Sequence, residues 1–386
     1  MSEWKKTKLE DCCRSISDGD HLPPPKTDSG VPFVTISDIR NNQFDLSNTR
    51  FVPEAYYEAI DPKRKIQKGD VLYSVVGSYG IPVFANESLK VAFQRHIAIL
   101  RPSEEIEPRF LYYSMLNRDF FLKADAVAVG AAQRTITLSA LRGLEIAMPP
   151  LPIQRRIAAI LSDYDAAIAN CRKQIALLEE AILRLYREWF ADGKGEKKTI
   201  ADISETIGGG TPSTSKAEYW DGDIPWVVPT DITRNSCLSL LSTEKCITKL
   251  GLEKSSAKML PAKAILMTSR ASVGYFGVAD FPVCTNQGFI SIVPHDEKMR
   301  WYLLFNLITR VEEIRAKAKG ATFAEISKSS FRALDVVVPA RAKLLSFDNF
   351  ATGIMKSELA LGQHIRTLTE ARDRLLPKLM SGEVAV

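Results

Sequence analysis

Two stretches of this chain place apolar residues at alternating steps of four and three. The first runs Ile157, Leu161, Tyr164, Ile168, Cys171, Ile175, Leu178, Ile182, Leu185 and Trp189 without interruption, the heptad seam of a long helix. A shift of 190 residues lands on Phe347, Ala351, Ile354, Glu358, Leu361, Ile365, Leu368, Arg372, Leu375 and Leu379, apolar at eight of ten places. The same seam therefore recurs with two polar interruptions. Neither stripe can be buried against its own small domain alone, so the pattern predicts that the helices pack on each other. Because folded chain lies between them in sequence, an antiparallel pair is expected. Pro377 predicts an end or kink in the last turn of the second helix, and ADGKGEKK from Ala191 predicts a flexible polar exit from the first.

The same period governs the rest of the sequence. GAAQRTITLSALRGLEIAMP from Gly130 to Pro149 aligns without gaps on GATFAEISKSSFRALDVVVP from Gly320 to Pro339, with seven of twenty positions identical. VPFVTISDIRN, ending at Asn41, resembles IPWVVPTDITRN, ending at Asn235, and QRHIAIL from Gln94 matches QGFISIV from Gln287, both shifted by 193. Loop insertions and deletions in a duplicated domain produce such drift. Within each copy, short β-rich runs are punctuated by Gly, Pro, Asn and Asp: Val31 to Ile36, Asp70 to Val76 and His96 to Leu100, then Ile224 to Val228, Ala264 to Thr268 and Gly288 to Val293. One aromatic helix follows in each, from Arg109 and from Arg300, its rings reading as core. The expected fold is mixed α/β of the α+β kind, with a pseudo-twofold internal repeat. Its parts are a first domain at 1–150, a central helical region at 151–196, a second domain at 197–340 and a C-terminal helical region at 341–386.

Charge refines this picture. The 51 basic and 46 acidic residues divide as 19 and 19 over residues 1–150, 7 and 7 over 151–196, 18 and 15 over 197–340, and 7 and 5 over 341–386. A neutral first domain is not a free-standing clamp for DNA phosphates, so any DNA binding relies on placement and partners. Cys12, Cys13, Cys171, Cys237, Cys246 and Cys284 form no CxxC pair, and His21, His96, His295 and His364 have no ligand spacing, so no metal site is expected. The charged start has no apolar stretch after it, and no run of about 18 apolar residues occurs, which points to a soluble, cytoplasmic chain without a membrane span.

An adenine methyltransferase needs an (N/D)PP(Y/F) motif, which the PP dipeptides in HLPPPK and AMPPLP lack; the glycines at 208–210 are not followed by GxxxxGK(S/T), so a tight turn is expected there. No catalytic residue, cofactor or nucleotide site is assigned. Candidate DNA contacts are polar residues on loops beside strand ends: Arg40, Asn41, Ser78, Tyr79, Arg95 and Arg134 in the first copy, and Thr211, Ser213, Arg234, Asn235, Arg270, Ser272 and Gln287 in the second. Each could equally be a solvated loop residue or a local turn donor. The matched Asp38 and Asp231 read as turn caps. The seam from Ile157 to Trp189 covers 33 residues, about 48 Å at about 1.5 Å per residue, or roughly 14 base pairs of duplex. Two diverged readers on such a rod would read two different half-sites across an unread spacer.

Across essentially its whole length the chain resembles the specificity subunit of type I restriction-modification systems. The resemblance rests on GGGTPSTSKAEYWDGDIPWVVPTDI from Gly208, NQGFISIVP from Asn286, PPLPIQRRIAAILSDYDAAI from Pro149 and LLPKLMSGE from Leu375. It implies two target recognition domains separated by two antiparallel coiled-coil helices. It further implies double-stranded DNA, two methyltransferase subunits and motor-nuclease restriction subunits as partners, with S-adenosylmethionine, ATP and magnesium bound by those partners. The complex would then act as an adenine methyltransferase and ATP-dependent endonuclease while this chain stays non-catalytic. SDGDHLPPPK from Ser17 departs from the GGGTPSTSK of the second copy, so the first target cannot be copied from the second. Two alternatives stay open: a tandem scaffold that docks partners through its helices without reading DNA, and an autonomous nuclease or methyltransferase, which the missing motifs disfavour.

Overall fold

A computed structural model describes residues 4–21, 24–40, 42–131, 133–235, 237–320 and 324–386. Both heptad patterns become continuous helices, a central one of 39 residues (Leu151–Trp189) and a C-terminal one of 41 (Arg341–Ser381). The chain forms two units, residues 1–166 with 368–386, and residues 167–367, so each long helix is divided between them. In the first unit Ile157 and Leu161 share a core with Leu376, Leu379 and Met380. In the second the Tyr186 and Trp189 rings lie 5.9 and 6.0 Å from that of Phe347. Within each unit an early residue of one helix meets a late residue of the other, the antiparallel arrangement.

Ile157, Leu161, Ile168, Cys171, Ile175 and Ile182 are buried on the central helix, with Leu178 and Leu185 half-buried. On the C-terminal helix Phe347, Ala351 and Leu379 are buried, whereas Ile354, Leu361, Ile365, Leu368 and Leu375 are half-buried. Beside three of these half-buried positions, Ile354, Leu361 and Leu375, the buried residue is the next one, Met355, Gly362 and Leu376. A helix near 3.6 residues per turn drifts against a strict 3.5 repeat, which moves the stripe by one position. The C-terminal helix runs four residues past Pro377 to Ser381; the ring sits on the exposed face, where water can satisfy the carbonyl left without a donor. The polar exit is not loose: after a turn closed by left-handed Gly193, Glu196–Thr199 forms a strand against Asp335–Val338.

Each unit has the same sheets. The first holds a four-stranded antiparallel sheet in the order Cys13–Asp18, Ile97–Pro102, Val71–Ser74, Pro82–Phe84. The second repeats it as Ser204–Gly208, Phe289–Pro294, Ile265–Thr268, Phe276–Ala279, and adds Ser239–Leu240 as a parallel fifth strand. A three-stranded sheet accompanies each: Val31–Val34 pairs antiparallel with Arg50–Val52 and parallel with Ala92–Phe93, just as Trp220–Val227 pairs with Lys245–Ile247 and Cys284–Thr285. The run IAIL is apolar throughout because the sheet is covered on both faces: Ala98 and Leu100 enter the core beneath the helices, Ile97 and Ile99 the core beneath the small sheet. The aromatic helices are core, as read, but each breaks in two, Pro108–Leu116 and Arg118–Ala126 around Asn117, and Arg300–Thr309 and Val311–Ala316 around Arg310. Asn117 is extended (ψ 136°) and its carbonyl accepts the first amides of the next helix.

The two polar interruptions of the second seam have partners. Arg372 donates to Asp165 of the central helix at 2.6 Å, and Asp165 also accepts the Tyr113 hydroxyl at 2.6 Å. Glu358, fully buried, is hydrogen-bonded to Glu179 of the central helix and accepts both the Ser239 amide (3.0 Å) and hydroxyl. Glu179 accepts the Leu238 amide at 3.0 Å. In each unit a polar pair between the helices is thereby tied to the sheet domain beside it.

Burial pushes the Glu179 carboxyl up to about 7, and the Glu358 carboxyl alongside adds to this. A raised folded-state value means that this carboxyl's contribution to the stability of the second unit is full below the ordinary glutamate range and is lost as pH climbs through about 7, by on the order of 2 kcal/mol. Thermal melts of the full chain should show its transition falling between pH 5 and 8. Glu179→Gln, which cannot ionise, should flatten that slope; an unaltered slope would contradict the raised Glu179 carboxyl.

Candidate nucleic-acid interface

In both units the loop between the two central hairpin strands is built on one frame. Gly80 N–H donates to the Ser74 carbonyl and Ile81 N–H to Ser74 Oγ, both at 2.9 Å. Gly274 N–H donates to the Thr268 carbonyl at 2.9 Å and Tyr275 N–H to Thr268 Oγ1 at 3.0 Å. Left-handed backbone recurs at Gly77 (φ 72°) and Ala271 (60°), and at Gly80 (90°) and Gly274 (83°). Two further segments are bonded to each loop. Val75 donates to the His96 carbonyl and accepts from Ile136 N–H, each at 2.8 Å; Ser269 donates to Gly288 (2.8 Å) and accepts from Ile326 (3.0 Å). A platform of three loops results in each unit, 75–81 with 94–96 and the described residues 129–131 and 133–136, and 269–275 with 286–288 and the described residues 319–320 and 324–326.

Most of the expected contact residues lie on these platforms. Ser78 and Arg95 are exposed, the latter on the 94–96 turn. Tyr79 stacks on Phe121 (6.1 Å, 12° between planes), donates its hydroxyl to Asp125, and lies 5.8 Å beneath the Arg134 guanidinium, which is itself paired with Asp125 at 2.8 Å. Burial and the Arg95 charge hold the His96 imidazole below its ordinary value. In the second unit Arg270 is exposed with its Nε 3.9 Å from Glu325, Ser272 is exposed at the apex, and Gln287 accepts the Thr211 hydroxyl. Asp125 and Phe121, which organise the first platform, gave no sequence signal; they become partners only when Arg118–Ala126 packs beside the loop.

The remaining candidates are held by other elements. Arg40 is exposed on the hairpin Ile39–Arg40/Gln43–Phe44, 3.3 Å from Asp45. Ser213 shares a 2.9 Å hydrogen bond with Ser215. The Asn235 amide donates to the Ser239 carbonyl at 2.9 Å, and Arg234 lines a cavity of about 350 Å³ with Asp231, Arg366 and Gly362. Asn41 lies outside the described residues. Asp38 and Asp231 are turn caps as expected, accepting the amides of Thr35 (2.7 Å) and Val228 (2.8 Å). The glycines at 208–210 do not make a left-handed turn. Gly208 ends a strand, and a Cβ on Gly209 would lie 2.1 Å from the Asn286 carbonyl oxygen, as one on Gly19 would lie 2.2 Å from that of Phe93. Close backbone approach beside the platform is what demands glycine at both places.

The sequence profile of the type I restriction modification DNA specificity domain matches residues 1–180 and again 193–343. The chain belongs to this family. It is 23% identical to the HindI specificity subunit of Haemophilus influenzae over the full length of both chains. It is 36% identical to the MjaIX specificity subunit of Methanocaldococcus jannaschii over 42% of this chain and 36% of that one. Among solved structures, the type I restriction-modification S subunit from M. genitalium shares the fold, with a TM-score of 0.59 at 16% identity over 97% of this chain and 96% of that one. As in the sequence reading, the specificity domain is present twice, and each copy carries one loop platform. No helix among the described residues is long and apolar enough to cross a membrane.

The exposed Arg134–Asp125 pair contributes under about 1 kcal/mol to folding, so Arg134→Ala should leave thermal stability nearly unchanged. In the assembled complex the variant should bind specific and non-specific duplex several-fold more weakly, with the slope of log K against log salt reduced by about one. An unaltered salt slope would place Arg134 off the duplex.

Proposed function

We propose that this specificity-family chain reads a bipartite, asymmetric DNA target. Its two domains would each read one half-site, and its paired helices would fix the unread spacer while docking two methyltransferase subunits and the restriction subunits. The observation that carries this reading is the loop platform, repeated on one backbone frame but furnished with different side chains: Val76, Tyr79 and Ile81 in one copy stand where Arg270, Val273 and Tyr275 stand in the other. A common frame supports a common mode of engagement, and different side chains support different base preferences. The chain itself supplies recognition without chemistry. S-adenosylmethionine, ATP and magnesium would be held by the partners, and the assembled complex would act as adenine methyltransferase and ATP-dependent endonuclease in the cytoplasm.

Exchanging residues 1–150 for the equivalent domain of another family member, then mapping methylated adenines across the genome of cells expressing the full complex, should change one half-site and leave the other intact. Loss of all sequence preference at every salt concentration in the wild-type complex would favour the scaffold alternative instead.

Removal of one matched heptad from both helices should shorten the spacer by roughly 3 base pairs, since seven residues rise about 10.5 Å. A spacer unchanged in the same mapping would mean that the helices do not set it.

A further inference from the structure

Tyr275 has its backbone fixed and its ring exposed. Its N–H and carbonyl are both tied to Thr268, at 3.0 and 2.9 Å, and the preceding Gly274 has φ 83° where an added Cβ would lie 2.5 Å from Val311 Cγ2. Yet the residue is 43% exposed, among the most exposed large hydrophobic groups of the second unit. The Arg315 guanidinium lies 5.9 Å from the ring centroid and is itself braced, its Nε donating to the Val273 carbonyl at 3.1 Å and its Nη1 to Glu312 at 2.8 Å. Leaving an aromatic face in water costs hydrophobic free energy that folding does not recover, and here a guanidinium braced by Val273 and Glu312 lies beside that face.

The first unit shows what the frame itself needs at this position. Ile81, hydrogen-bonded to Ser74 as Tyr275 is to Thr268, is aliphatic and packs against the core beneath the small sheet. An isoleucine therefore satisfies the loop. The aromatic ring in the second copy is surplus to it. Across the apex the exposed Arg270 replaces the half-buried Val76, so one edge of the second loop carries a cation and the other a ring.

We infer that Tyr275, positioned by Arg315, is a specificity-determining DNA contact of the second recognition domain, its ring face set against a base edge or sugar and its hydroxyl within reach of a base-edge donor or acceptor. Base-edge contacts discriminate sequence, whereas the cations around them bind phosphate without discrimination. Arg315 acts through the ring and is a positioning residue.

The inference rests on the DNA-reading assignment, and the test separates the two. Wild-type, Tyr275→Ala, Tyr275→Ile and Tyr275→Phe chains are assembled with the modification subunits and assayed for binding to specific and non-specific duplex across a salt series, with methylated adenines mapped in cells. Tyr275→Ile copies the residue that already fits this frame in the first copy, which guards against a folding defect in Tyr275→Ala. Both should lose about tenfold or more in specific affinity while non-specific binding and salt slope stay as in wild type, and methylation should relax at a position of one half-site only. Tyr275→Phe should keep the ring's share of the affinity. A Tyr275→Ile complex with wild-type specific affinity and an unchanged methylation map overturns the inference but leaves the DNA-reading assignment standing. A wild-type complex without sequence preference overturns both.

Discussion

Everything in this fold depends on the burial of two apolar helical stripes against each other. A stripe of Ile, Leu, Phe and Met over ten turns cannot be covered by a domain of about 150 residues that has its own sheet to bury, and the partner stripe is the available cover. Two polar residues break the second stripe, and both serve the junction with the sheet domains. Arg372 reaches Asp165, which also accepts Tyr113; Glu358 reaches Glu179 and both donors of Ser239. A buried polar group without a partner costs free energy, so the fully buried Glu358 tolerates only the arrangement in which helix, helix and the Ser239 strand meet.

On that support the two copies have kept their frame and exchanged their surfaces. Closure of each hairpin loop uses the same two hydrogen bonds, and each platform is assembled from the same three segments. Backbone hydrogen bonds fix the loop independently of outward-facing side chains, so those side chains can diverge without cost to folding. This is the physical basis on which a duplicated domain can come to prefer a different base sequence while still presenting its loops in the same way. The first platform is stiffened by a Tyr79–Phe121–Asp125–Arg134 cluster, the second by the Arg315 brace under Tyr275.

Much of the architecture could be read from residues alone, because period is a local property of the chain. The seam from Ile157 to Trp189, the strands around Val71, Ile97, Ile265 and Phe289, and the 190-residue repeat all announce themselves by spacing. Misreadings occurred where a distant contact decides. The EKK end of the ADGKGEKK segment becomes a strand because Asp335–Val338 offers it an edge. Gly209 is required by a carbonyl 77 residues away in sequence rather than by its own dihedral angles.

The candidate interface divides in the same way. Residue type and position beside strand ends were enough to place Ser78, Tyr79, Arg95, Arg134, Arg270, Ser272 and Gln287 on the loops, since strand ends follow from the β pattern. Sequence by itself determined the duplication, the paired helices and the absence of recognisable catalytic motifs, each a matter of pattern along one dimension. Tertiary structure alone decided which polar residues are spent on clamps, as Glu179 and Glu358 are, and which side chains stay exposed, as that of Tyr275 does. That distinction depends on partners brought together from 40 to 200 residues apart, and no local periodicity encodes it.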